Sequence, residues 1–164
     1  MFNVLNYSKK AFTLLELIIA IVILSILFTY GIPIFTNMYR DNAVHSASID
    51  FIKDLHSNKQ TAINESTSIY MYPENESDDF TGGWHNYNNG NISVREVDPS
   101  IIITSSNTSF GIKFSSEGKL YDAVTEVPVI EQTYEFCHAS DSNVQGRTVT
   151  VNSLGRTTIE YTVC

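Results

Sequence analysis

The chain has 164 residues, a net charge of −8 and a pI near 4.8, with 43% hydrophobic and 17% charged residues. That length suits one compact domain plus an anchor. The acidic balance argues against broad, sequence-independent nucleic-acid binding, which needs basic surface to displace phosphate counterions.

The first eleven residues, MFNVLNYSKKA, are a short segment, polar at its end, that carries Lys9 and Lys10 just ahead of an apolar run. That run, FTLLELIIAIVILSILFTYGIPIF, spans residues 12–35 with Glu16 as its only charge. The mean hydropathy of −0.06 therefore averages a membrane segment with a hydrophilic remainder. Two lysines before the run leave the N-terminus cytoplasmic. No small-residue A-x-A site follows the run, as an ordinary secretory signal would show, so the apolar stretch is expected to be retained. A carboxylate at the depth of Glu16 costs about 3 kcal/mol unless it is paired or reaches the interface. It either snorkels or meets a cation inside an assembly, and the lysine-flanked start favours the second.

Gly31 and Pro33 then interrupt the run, and a proline inside a helix removes a hydrogen bond and bends the axis. Beyond it, Val44, Ala47, Phe51, Leu55 and Ala62 recur at three-, four- and seven-residue steps. Arg40, Asp41, Asp50, Lys53, Asp54 and Lys59 fall mostly elsewhere. This is one apolar stripe on a helix reaching about Asn64. The stripe is too short and lacks the heptads of the rival reading, a coiled coil.

From Ser68 the pattern changes to strands. They are 68–72, 92–97, 101–106, 110–115, 133–139, 147–152 and 156–163, rich in β-branched and aromatic residues. Ser116-Glu117-Gly118 and Ser153-Leu154-Gly155 read as hairpin turns. Residues 73–91, polar and rich in Gly and Asn, read as a long surface loop. Its Trp84 is either a cap on the core or a contact for a neighbouring subunit. The whole is an α+β chain: one long N-terminal helix, half transmembrane and half amphipathic, packed on an antiparallel β-domain of two small sheets. The divisions are a leader, 1–11, a membrane segment, 12–35, an amphipathic segment, 36–65, and a β-domain, 66–164.

The sequence holds no catalytic constellation and calls for no cofactor. His45, His56, His85 and His138 lack metal-site spacing, and residues 115–119 lack the glycine spacing of a phosphate loop. Glu74, Glu76, Asp78 and Asp79 form an acidic run, read first as solvated and second as a calcium site. Cys137 and Cys164 are too few and too far apart for structural zinc. They are either one disulfide or two free thiols. A membrane-targeted chain points to an oxidising compartment and the disulfide.

The segment KKAFTLLELIIAIVILSIL resembles the class III signal of type IV pilins and type II secretion pseudopilins. The resemblance implies cleavage by a prepilin peptidase between Ala11 and Phe12 and methylation of the new Phe12 amine. Ala11 stands where the family has glycine. Glu16 matches the glutamate that pairs with the N-terminal amine of a neighbouring subunit, and Pro33 the point where the helix kinks. The mature chain would keep 153 residues (164 − 11) and a side-chain charge of (10 − 2) − 18 = −10. Gly83-Trp84, Phe114-x-x-x-Gly118, the strand ending at Cys137 and the closing GRTVTVNSLGRTTIEYTVC resemble the GspH/FimT branch of minor pilins and pseudopilins. Such subunits prime assembly and sit near a filament tip. Implied partners are other major and minor pilins or pseudopilins, the prepilin peptidase, the inner-membrane assembly platform and the inner membrane. The domain would face the periplasm before joining a pilus or pseudopilus. Some FimT-type members bind DNA through G-R-x-R. Here Gly155-Arg156-Thr157-Thr158 keeps one of the two arginines, and Arg147 is expected near Arg156 across the hairpin. Both are read as solvated turn residues first and DNA contacts second.

Overall fold

The computed structural model describes residues 12–74, 79–106, 111–139 and 144–164. It resolves two compact units, Met1–Met38 and Tyr39–Cys164. Among the described residues the one helix, α1, runs from Leu14 to Asn64, continuing through Gly31 and Pro33.

In the first unit every large apolar side chain of the helix, from Leu14 to Met38, is exposed. The best 18-residue window has a mean hydropathy of 2.6. Residues 12–35 would span about 36 Å as a helix, enough to cross a hydrocarbon core of ~30 Å. The Ser25 hydroxyl donates to the Ile21 carbonyl at 2.8 Å and that of Thr29 to the Ser25 carbonyl at 2.7 Å. These two mid-helix hydroxyls are thus satisfied within the helix, as a lipid environment requires.

In the second unit α1 carries the buried stripe Val44, Ala47, Phe51, Leu55 and Ala62, and two antiparallel sheets pack against it. The strands are β1 (Ile69–Pro73), β2 (Gly83–Asn88), β3 (Asn91–Glu96), β4 (Ile101–Ser105), β5 (Ile112–Phe114), β6 (Leu120–Asp122), β7 (Glu131–His138), β8 (Gln145–Asn152) and β9 (Thr157–Val163). One sheet has the order β3-β2-β1-β5-β6 and the other β4-β7-β8-β9. This is the expected α+β architecture. Phe51 is the hub of the core. Its ring lies 5.4 Å from Phe80, 5.1 Å from Trp84, 4.7 Å from Tyr134 and 5.4 Å from Phe136. One helical side chain therefore joins residues from both sheets, and burying such a ring contributes about 2–3 kcal/mol.

One sequence expectation needs correction. Residues 73–91 are not one long loop, because β2 lies within them, paired along its full length with β3 and over residues 84–87 with β1. The strand escaped notice because its inward residues beyond Trp84 are polar. Asn86 accepts from Asn58 Nδ2 at 2.6 Å, and Asn88 Nδ2 donates to Glu65 at 2.8 Å. A strand whose helix-facing side is held by amide hydrogen bonds shows no apolar alternation. Trp84 is fully buried, which removes it from any contact with a neighbouring subunit. Its indole N–H donates to Asp54 Oδ2 at 2.8 Å, and Arg95 reaches the same carboxylate through Nε (3.2 Å) and Nη2 (3.0 Å).

Candidate assembly site

At the start of the chain, Ala11 and the preceding leader lie outside the described residues. Phe12 is 80% exposed and precedes the first helical residue by two positions. Thr13 accepts the Glu16 backbone N–H at 3.2 Å, and Glu16 Oε2 faces the Thr13 N–H at 3.5 Å. This reciprocal pair is a capping box, in which the threonine and the glutamate satisfy each other's orphan amides. The Thr-x-x-Glu spacing ahead of an apolar run was legible in the sequence and went unread. Glu16 is exposed in the single chain, and among the described residues its carboxylate is engaged at the helix start.

At the other end, the disulfide Cys137–Cys164 joins residues 27 positions apart, with Cα atoms 5.8 Å apart. It does not link adjacent strands. β8 lies between β7 and β9, with Phe136 opposite Arg147 and Gly146 opposite Thr162. The bridge therefore passes over β8 at Gly146. A methyl group there would come within 2.5 Å of Cys164 Sγ and 3.0 Å of the Phe136 carbonyl. The missing side chain makes the crossing possible, and the crossing ties the last strand, a sheet edge, to an interior one.

The hairpin separates the two arginines. Arg147 sits opposite Tyr161, its guanidinium 4.1 Å from that ring centre, and donates to the Gln145 and Gly146 carbonyls at 3.2 and 3.0 Å. Arg156 lies beside the turn, five residues from Tyr161, or about 16 Å along the strand. In an antiparallel pair the starts of consecutive strands lie at opposite ends, so the expected neighbourhood of Arg147 and Arg156 does not form. Instead Arg156 shares a pocket with His56 and Lys59 of α1, two residues that sequence reading left aside. Among the described residues, no group of three His, Cys, Asp or Glu side chains is placed to hold a metal ion.

The family model described as the prokaryotic N-terminal methylation motif matches residues 6–30. Two crystal structures of the type IV minor pilin FimU of Pseudomonas aeruginosa (strain PAO1) share the fold, with TM-scores of 0.57 and 0.55 at 17% identity. They cover 73% and 71% of this chain and 89% and 91% of FimU. The chain thus carries an N-terminal methylation motif and shares the fold of a type IV minor pilin. No curated protein matches the chain by sequence. The methylation motif at residues 6–30 includes the Thr13–Glu16 capping box, and the apolar helix behind it fits membrane anchoring. The edge strand β9 begins at the β8–β9 turn and ends at the disulfide.

Proposed function

We propose that this chain is a minor pilin of a type IV pilus, of the GspH/FimT kind, that primes assembly or sits near the filament tip. The observation that carries this reading is the conjunction of an N-terminal methylation motif at residues 6–30 with a fold spanning 89% of a type IV minor pilin. In this reading a prepilin peptidase cuts between Ala11 and Phe12 and methylates the Phe12 amine. The apolar helix holds the subunit in the inner membrane with the domain in the periplasm, and an assembly platform passes it into the filament. Glu16 exchanges its capping-box contact for the Phe12 amine of a neighbouring subunit. That charge pair forms where water is excluded, so its attraction is far stronger than at a surface. Pro33, with no N–H to donate, is the point at which the helix can bend as subunits pack.

Two related roles rank below it: the equivalent pseudopilin of type II secretion, and a DNA receptor for transformation. Arg147 bound to its own strand and Arg156 about 16 Å away make a poor phosphate track on an acidic chain.

The test is mass spectrometry of the subunit in sheared filaments. It should begin at Phe12 and carry one methyl group. Glu16→Ala should still be cut yet be missing from filaments. A different mature N-terminus would refute the cleavage assignment, and normal incorporation of Glu16→Ala would refute the pairing role.

A further inference from the structure

Most cations of the second unit are already engaged. Lys53 pairs with Asp50, Arg95 with Asp54, Lys113 with Glu126 and Lys119 with Glu117. Arg40 has a partner as well, and Arg147 rests on Tyr161 and backbone carbonyls. Among the described residues, Lys59 and Arg156 form no ion pair. Both line one open pocket of about 390 Å³, together with His56, Gln60, Gly155 and Thr157. No carboxylate lines it, although the chain has 18 acidic residues against 10 Lys and Arg.

The pocket is held in shape. The stem of Lys59 passes between two tight turns, and a methyl group on Gly155 or Gly118 would come within 3.0 or 3.2 Å of it. Both glycines have positive φ (+64° and +73°), so the turns admit the lysine because neither position carries a side chain. The ammonium donates to the Leu154 carbonyl at 2.6 Å, which leaves two of its three donors unused. The His56 ring is held by the Thr157 hydroxyl at 2.9 Å. Glu117, on the neighbouring turn, is taken by Lys119 at 2.6 Å. What remains free at the pocket is the rest of the ammonium and the Arg156 fork. Two cationic groups lining one pocket without an acidic counterpart fit an oxyanion.

We infer that this pocket receives carboxylates of an acidic segment of a neighbouring filament subunit, resting on the assembly role proposed above. A polypeptide fits better than a nucleic acid. Nucleic-acid binding gains from many phosphate contacts along a basic track, whereas here one pocket sits on a chain of net charge −8 that repels a polyanion. One or two side-chain carboxylates meet little of that repulsion. Packing in a filament gives them an effective concentration in the millimolar range, so a weak pocket suffices.

The experiment uses the full-length chain in the cells that assemble it, with a photo-crosslinking residue in place of the exposed Gln60. Crosslinks recovered from sheared filaments are mapped by mass spectrometry. The expected product joins position 60 to a pilin segment with two acidic residues within four positions. Arg156→Glu should reduce its yield about tenfold, Arg156→Lys should largely keep it, and reversing the partner's acidic residues to lysine should restore it in the Arg156→Glu background. A crosslink to DNA, or to a segment without acidic residues, overturns the proposal, as does a yield indifferent to Arg156→Glu while the subunit is present in filaments. Absence of the unsubstituted subunit from filaments would instead overturn the assembly role, and this proposal with it. Disulfide formation in each variant reports that the domain has folded.

Discussion

Asp54 provides the sharpest test of how the helix and the larger sheet are joined. Its carboxylate accepts the indole N–H of the fully buried Trp84 at 2.8 Å and two donors from Arg95. Asp54→Ala leaves that N–H buried without a partner, a cost of about 1–3 kcal/mol. The Arg95 side chain is 45% exposed and regains water, so its lost ion pair adds at most about 1 kcal/mol. The expected loss is about 2–3 kcal/mol. At a urea m-value of ~1.5 kcal/mol/M, this lowers the unfolding midpoint by about 1.5–2 M. Asp54→Asn keeps an acceptor for the indole and should lose only about 1 kcal/mol. Trp84 is the only tryptophan, so its fluorescence follows unfolding at the site in question. A loss below ~0.5 kcal/mol for Asp54→Ala, or equal losses for Asn and Ala, would refute the assignment of the cost to the stranded indole.

Other expectations follow from the core and the edge strand. Cys164→Ser should lower stability by about 3.5 kcal/mol on the chain-entropy account for a loop of this length, measured as the difference in urea midpoint. Gly146→Ala should destabilise the oxidised chain and cost much less in the Cys164→Ser background, because Cys164 Sγ is among the atoms the methyl would meet. Tyr134→Phe should leave stability unchanged or raise it by ~1 kcal/mol, since the Tyr134 hydroxyl is buried without a partner among the described residues. Burial holds the Tyr134 phenol well above its ordinary value of 10.0. The unfolded chain then releases this proton first, so Tyr134's share of stability is intact below pH 10 and falls as pH rises beyond it. Tyr134→Phe should flatten that alkaline decline in a pH series of urea midpoints. Phe51→Ala, which empties the hub between the sheets, should cost about 3–5 kcal/mol and be the most damaging single core change.

The sequence by itself determined whatever depends on local pattern. Twenty-four residues with one charge specify an apolar helix, and a stripe at three- and four-residue steps specifies which face of the following helix is buried. Val44, Ala47, Phe51, Leu55 and Ala62 are the buried residues found there. Seven of the nine strands among the described residues were legible from β-branched and aromatic runs. The short β6 and the polar β2 were not, and β2 is stabilised by Asp54, Asn58 and Glu65, residues at least 20 positions away. Tertiary structure decided what depends on pairing. It put the two hairpin arginines at opposite ends of their strands, because antiparallel register reverses direction. It carried the disulfide over a strand at a glycine, a route that cysteine spacing does not encode. It also closed two turns around Lys59 and brought Arg156 and His56 beside it, although the helix and the turn are some 95 residues apart in the chain. A single sequence records which residues are charged. Which charges are left without a counterpart is set by how the chain folds around them.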